Sequence, residues 1–392
     1  MKKVLFLIHT LGGGGAEKVL VNLVNNLNPN KYDITVMTIV DVGELRYSLN
    51  NNIKYKTTIK LQKNRKEKKE NTSGSLLNKK YKTVLAKIYA KIWKYMPTKL
   101  FYKLFIKEKY DVEISFLEGI CAKVISSSTN SNSKKYAWIH VDLVNQTKSS
   151  GVFKSLIEEQ KVYNKFNNIV CVSKVVKDQF IKKYNIDSNK VIVKYNTIDK
   201  KEIIEKSKEK CDDYIKNKSR ITLGSIGRLN SQKAYDRLLR ITKKLIDDGF
   251  DINLFIVGEG TSRKELEDYI KINNLQDHIV LLGFKSNPYK YIINCDIFVC
   301  SSIAEGFSTA VSEAIVLGIP IVTTECSGMR ELLGDNNEYG IVTGNSEDEL
   351  YEGIKQMLND EVFKRYKKAI INRKTMFDLN RLVKEVEVLL DE

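Results

Sequence analysis

Glu305 and Glu313, with seven residues between them around the turn Gly306-Phe307, are the residues of this sequence best placed to do chemistry. The apolar run Ile297–Cys300 reads as a buried strand that delivers the chain to the turn, and a helix starts near Ser308, where small and hydroxyl residues favour a cap. Backbone N–H groups at a helix start, helped by the helix dipole, suit an anionic or hydroxyl-rich ligand. Glu313, one to two turns into that helix, can accept two adjacent hydroxyls, as a ribose diol presents. Solvated surface carboxylates are the plainer reading, but a strand end passing into first helical turns is where open α/β sheets bind ligands.

Other residues are weaker signals alone. Gly12–Gly15 lies between a strand at Val4–Ile8 and a helix at Ala16–Leu27, and is either a flexible turn or a place where backbone comes close to a ligand. His140 follows the apolar Tyr136–Ile139; a lone histidine is more often structural than catalytic. Asp142, two residues on, could orient that histidine or cap a loop. Glu259, between two glycines, could simply shape a turn.

The elements that must position these residues alternate. Strands are expected at Val4–Ile8, Ile34–Val40, Val112–Phe116, Tyr136–Ile139, Ile169–Val172 and Val191–Tyr195, with helices near Cys121–Ile125, Lys154–Phe166 and Val175–Tyr184. A charged stretch, Lys200–Arg220, precedes a second series with strands at Ile221–Ile226, Ile252–Val257, Ile279–Leu282, Ile297–Cys300 and Ile319–Thr323. Alternation of apolar strands with helices implies parallel sheets covered on both faces. A chain of 392 residues exceeds one ordinary core. The expectation is two doubly wound domains, 1–199 and 200–376, with a helix at 377–392 returning to complete the first.

Composition narrows the class. The longest apolar run, Ala314–Val322, contains Gly318 and Pro320 and is far short of the roughly 18 residues that span a bilayer. Six cysteines show no C-x-x-C spacing, which fits buried thiols in a reducing compartment, and three histidines argue against a histidine metal site. The net charge of +17 is concentrated: Lys54–Lys109 holds 18 Lys or Arg against three Glu, a net +15. Solubility alone does not call for that concentration.

The motifs, taken in order, resemble glycosyltransferase family 4 of the GT-B fold. They are Gly12-Gly13-Gly14-Gly15-Ala16-Glu17, Trp138-Ile139-His140-Val141-Asp142, Asn196-Thr197-Ile198-Asp199, Gly227-Arg228-Leu229-Asn230-Ser231-Gln232-Lys233, Val257-Gly258-Glu259-Gly260, Leu282-Gly283-Phe284-Lys285-Ser286-Asn287-Pro288-Tyr289 and the stretch Ser301 to Ala314 that holds Glu305 and Glu313. The resemblance implies two Rossmann-like domains facing each other across a cleft. The first would bind the acceptor and the second the nucleotide-sugar. It implies that Arg228 and Lys233 clamp the donor diphosphate, and that Glu313 holds the ribose. Glu305 with the N–H groups of Gly306 and Phe307, next to Ser308 and Thr309, would hold sugar hydroxyls. Gly258, Phe284 and Lys285 would lie beside the base, and Asn196 and Gly227 would border the donor. Gly14 and Gly15 would let backbone approach the diphosphate, and His140 would reach the transferred sugar. It further implies retention of anomeric configuration with no cofactor and no metal, UDP-sugar being the donor substrate. Ala234 stands where the family commonly has Gly, and Ser308 where Pro is common.

The basic segment has two readings. Val84, Leu85, Ile88, Tyr89, Ile92, Trp93 and Met96 recur at helical spacing, with Lys87, Lys91 and Lys94 on another face. This is either a core-packed helix with a solvated lysine face or, as favoured here, a helix on anionic lipid with Trp93 at the interface. Lys63–Ser75 is polar, lysine-rich and expected to lack order. The chain is therefore expected to be a cytoplasmic enzyme, held peripherally at the inner face of the membrane. It would move a hexose or N-acetylhexosamine to a polyprenyl-linked saccharide in bacterial surface-polysaccharide synthesis. A protein or soluble acceptor, a nucleotide-sugar epimerase, and a non-catalytic polybasic membrane-binding subunit are the alternatives. Nucleic acid is not an expected partner, for no recognition motif or stacking platform is visible.

Overall fold

The structure, a computed structural model, describes residues 1–60, 91–211, 213–214, 216–217 and 219–392. Lys63–Ser75 and Lys87 lie outside the described residues. The chain divides into two compact units: Met1–Val172 with Val176–Lys194 and Val383–Glu392, and Ser173–Val175 with Tyr195–Leu382.

The first unit holds a seven-stranded sheet of β1 (Lys2–Ile8), β2 (Tyr32–Val40), β3 (Lys54–Ile59), β4 (Val112–Ser115), β5 (Lys134–Ile139), β6 (Asn168–Cys171) and β7 (Val191–Val193). Their order is β3-β2-β1-β4-β5-β6-β7, every pairing parallel. Val4–Ile8 of β1 are wholly buried, as a central strand covered on both faces requires. The helix Leu379–Asp391 contributes its second half here. Tyr136 Oη donates to the Leu389 carbonyl at 3.0 Å, Tyr32 Oη to Asp391 at 2.7 Å and Lys2 Nζ to the Leu390 carbonyl at 2.5 Å.

The second unit holds β8 (Ile221–Ile226), β9 (Ile252–Val257), β10 (Ile279–Gly283), β11 (Ile297–Cys300), β12 (Ile321–Thr324) and β13 (Ile341–Thr343). They form a parallel sheet in the order β10-β9-β8-β11-β12-β13. Each sheet therefore reverses its winding once, between β1 and β4 and between β8 and β11. The carboxyl ends of those strand pairs are the switch points where ligands bind in doubly wound sheets.

Two expectations need correction. Tyr195–Asp199, placed in the first domain on sequence, pack in the second unit. The Tyr195 ring lies 5.3 Å from that of Phe307, and Asp199 caps the helix Lys200–Ser207. Trp93 is not a membrane-facing residue: it is 2% exposed, its ring 5.1 Å from that of Phe101 in an edge contact. Two apolar faces share this segment. The one with Trp93 meets the core, while Ile92, Tyr95, Leu100 and Leu104 are exposed. Lys91, Lys99 and Lys103 are exposed beside them, and Lys94 is half-buried.

Candidate functional site

Helix Thr309–Leu317 is almost entirely apolar, and every residue from Ala310 to Leu317 is buried. An all-round apolar helix belongs in a core, so a carboxylate on it must be held by something. Glu313 is that carboxylate: it is buried and accepts a hydrogen bond from Tyr289 Oη at 3.2 Å. Burial and the Glu313 charge both hold the Tyr289 phenol above its ordinary value, so it stays a donor. Ser308 caps this helix, its hydroxyl accepting from the Val311 amide at 3.4 Å. Its φ of −69° would admit proline, but proline could not supply that cap.

Glu305 lies in the loop after β11, and Lys233 lies in the loop after β8, 72 residues earlier. Lys233 Nζ meets Glu305 Oε1 at 2.6 Å, and Ser302 Oγ donates to the same oxygen at 2.6 Å. Burial, the largest single influence, pulls the Lys233 ammonium down, but the Glu305 charge and hydrogen bond, with the nearby Cys300 and Tyr235, together leave it above the ordinary lysine value. A lysine and a glutamate predicted to hold opposite parts of a donor are thus brought together at the switch point of this sheet. Ala234, next to Lys233, has φ +47°, in the left-handed region. Glycine is preferred at such a position because an L side chain there costs about 1 kcal/mol.

The remaining predicted donor residues cluster at the same sheet edge to different degrees. Gly227 and Arg228 follow β8 directly, Arg228 with an exposed side chain. Gly258, after β9, has φ +150°, and a Cβ there would fall 1.9 Å from the Gly227 carbonyl, so only glycine allows the two loops to touch. The Gly258 amide donates to the Gly283 carbonyl at 2.9 Å, which brings the loop after β10 alongside. Phe284, in that loop, is 60% exposed, an open aromatic face at the sheet edge. Lys285 pairs instead with Asp213. Asn196 is buried with its amide donating to the Phe307 carbonyl at 3.3 Å, while its Oδ1 has no protein partner. Gly306 and Phe307 are buried and Thr309 opens the helix. A cleft of about 610 Å³ in this unit, bordered by Asn230, Arg237 and Ile303, includes neither Lys233 nor Glu305.

In the first unit, Gly14 is the N-cap of helix Gly15–Asn26 and brings no side-chain acceptor to its first turn. His140, after β5, is only 9% exposed; its amide donates to Glu118 Oε2 at 3.2 Å, and its ring lies 4.9 Å from that of Phe116. Its Nε2 is buried with no protein partner. Burial lowers its pKa to about 3, against a backbone hydrogen bond with Phe116 that acts the other way. The unfolded chain protonates this imidazole near 6.5, so the unfolded state binds more protons between about 3 and 6.5. Stability from this group is then lost as pH falls through that window. In an NMR titration from pH 8 to 5, the imidazole signal missing in His140→Asn stays at its neutral position; a midpoint near 6.5 would refute the assignment. Asp142 closes the following turn, accepting from the Val144 amide at 2.9 Å and from Asn145 Nδ2 at 2.7 Å.

Sequence reasoning gave no role to Tyr289 or Ser302 and passed over Glu118. Glu118 follows β4 at the switch point of its sheet, a position that could have drawn notice. Tyr289 and Ser302 lie within motifs read from the sequence, but their bonds to Glu313 and Glu305 depend on the folded loops. Among the described residues, no group of three or more His, Cys, Asp or Glu could hold a metal ion.

Residues 206–376 match the Glycosyl transferases group 1 family. Across 388 residues, 98% of each chain, the protein is 28% identical to the N-acetylgalactosamine-N,N'-diacetylbacillosaminyl-diphospho-undecaprenol 4-alpha-N-acetylgalactosaminyltransferase of Campylobacter jejuni. Its fold is similar to HepE of Anabaena, solved with UDP and glucose, at a TM-score of 0.74, 18% identity and 100% of both chains. It is likewise similar to TarM of S. aureus, at a TM-score of 0.70, 14% identity and 100% of both chains. The two-sheet architecture is thus of the GT-B type, and the family match over residues 206–376 together with the Campylobacter relative supports glycosyltransferase activity.

Proposed function

We propose that the protein is a retaining glycosyltransferase. It moves a hexose or N-acetylhexosamine from a UDP-sugar to a polyprenyl-linked saccharide presented at a membrane, in the synthesis of a surface polysaccharide. The observation that carries this reading is the Lys233–Glu305 pair at the β8/β11 switch point, one helical segment from the buried Glu313. The Campylobacter relative, which acts on a diphospho-undecaprenol-linked acceptor, supports the choice of acceptor class.

The bond between the anomeric carbon and the diphosphate oxygen breaks, its electron pair leaving with UDP. The acceptor hydroxyl oxygen bonds the same carbon on the same face, and its proton passes to the departing diphosphate. Arg228 and Lys233 neutralise the charge developing there, in place of a divalent metal. Glu313 accepts from the ribose hydroxyls, Glu305 from the transferred sugar, and Phe284 offers a face to the base. The neutral His140 Nε2 accepts from a substrate hydroxyl.

Access to a lipid-linked acceptor is assigned to the exposed row Ile92, Tyr95, Leu100 and Leu104, flanked by Lys91, Lys99 and Lys103, resting on anionic headgroups. No helix of the described residues is long and apolar enough to cross a membrane. A screen of UDP-sugars, with and without polyprenyl-diphosphate-linked saccharide, tests the transfer. One donor gives UDP release that depends on the acceptor and persists with EDTA; donor consumption without a glycosylated product would refute it. Sedimentation with phosphatidylglycerol vesicles tests the surface. Ile92→Asp/Leu104→Asp should lower partitioning at least about tenfold, since each side chain gives up roughly 1.5 kcal/mol or more of apolar burial. Unchanged partitioning would remove this face from the account.

A further inference from the structure

The loop from Ser301 to Glu305 has its backbone held by side chains from other elements. The Ser301 carbonyl accepts from Arg237 Nε at 2.9 Å. The Ser302 carbonyl accepts from Arg237 Nη2 at 3.0 Å, Thr324 Oγ1 at 2.5 Å and Cys326 Sγ at 3.1 Å. The Ile303 carbonyl accepts from Asn345 Nδ2 at 2.9 Å, and the Ala304 carbonyl from Gln232 Nε2 at 2.9 Å. Four successive carbonyls are therefore fixed just before the residue that carries the carboxylate.

Arg237 is the hub. It sits on helix Tyr235–Asp247, is 7% exposed, and also donates from Nη1 to the Asn345 carbonyl at 2.8 Å and from Nη2 to Asn345 Oδ1 at 3.0 Å. Burying a guanidinium is costly unless its donors are used, and here the acceptors are backbone oxygens of the loop together with the carbonyl and the side-chain Oδ1 of Asn345. Only the planar fork of arginine can reach both Ser301–Ser302 and Asn345 at once; a lysine ammonium cannot.

We propose that Arg237 is a positioning residue for sugar transfer: its guanidinium, spread over the Ser301 and Ser302 carbonyls and Asn345, sets the loop backbone and so the place of the Glu305 carboxylate. This rests on the reading of Glu305 as a donor-sugar residue. Arg237 touches no substrate in this account. Its removal leaves Arg228 and Lys233 to bind diphosphate but lets Glu305 drift, and a displacement of about 1 Å at a reacting centre costs about 100-fold in rate.

The test is UDP release by the full chain at saturating donor and acceptor. Arg237→Ala should lose about 100-fold in kcat with donor KM changed less than about threefold, and added guanidinium should restore at least about tenfold. Arg237→Lys should remain as impaired as Arg237→Ala. A folded Arg237→Ala with native kcat, or a loss that guanidinium leaves untouched, would overturn the proposal. Should Arg237→Ala fail to fold, Asn345→Ala removes an exposed partner of the same guanidinium. A kcat reduced about tenfold supports the role, and native kcat rejects it. Glu305→Gln separates the two levels. If Glu305→Gln turns over normally, the donor reading itself fails; if it is inactive while Arg237→Ala is native, only the positioning role fails.

Discussion

Replacing Lys233 by Met should cut UDP release by about 10²–10³-fold, the scale for removing one preorganised group that stabilises developing charge. The same change should also lower stability. The pair is largely withdrawn from water, with side-chain exposures of 18% and 12%. Taking away one member leaves Glu305 buried beside Ser302 alone, at a cost of roughly 2–3 kcal/mol, below the range for a fully buried pair because some water remains. For a unit of this size that is a melting shift of about 5–10 °C. The double variant Lys233→Met/Glu305→Gln removes both charges and should recover most of the lost melting temperature while remaining inactive. Calorimetry and UDP release on the three proteins check this together. Turnover by Lys233→Met within tenfold of native would remove the lysine from the diphosphate site.

A second large effect is expected far from that pair. Lys123 is buried, and its ammonium donates to the carbonyls of Val152 at 2.8 Å, Lys94 at 3.1 Å and Trp93 at 3.2 Å, and meets Glu158 at 3.1 Å. One side chain ties the helical residues 91–95 to the loop after β5. Lys123→Met keeps the volume but takes this donor from three carbonyls and leaves the Glu158 carboxylate with the Lys154 amide and no cation. At about 1–3 kcal/mol per unsatisfied group, partly recovered by water, the loss is about 3–5 kcal/mol. The melting temperature of the first unit should fall by roughly 10 °C, and a fall under about 2 °C would show that water replaces the ammonium without cost.

The strands that position the donor residues were readable because they are short, apolar and bounded by turns. β8, β9 and β11 run over Ile221–Ile226, Ile252–Val257 and Ile297–Cys300, as their patterns indicate. β3, Lys54–Ile59, was not readable: it is an edge strand of mixed exposure whose lysines and threonines carry no apolar signal. β13 is three residues long. Trp93 was misplaced because helical spacing identifies apolar stripes but does not say which of two stripes meets the core. Glu305 and Glu313 were legible as a motif on one strand-turn-helix. The bond from Lys233 to Glu305 was not, since it depends on β8 and β11 becoming neighbours across 72 residues. Nor was the unpartnered Nε2 of His140, which exists only once Phe116 and β5 have closed around the ring.

The segment Val383–Glu392 has a consequence for how the chain is made. β1, β2 and β5 are synthesised early, yet Lys2, Tyr32 and Tyr136 find their hydrogen-bond partners at Leu390, Asp391 and Leu389. While the ribosome is still translating the second unit, the first has a complete sheet with part of one face bare. That unit must wait as an unfinished intermediate until residues 383–392 have emerged from the exit tunnel, and a chaperone that shields apolar surface has its longest window there.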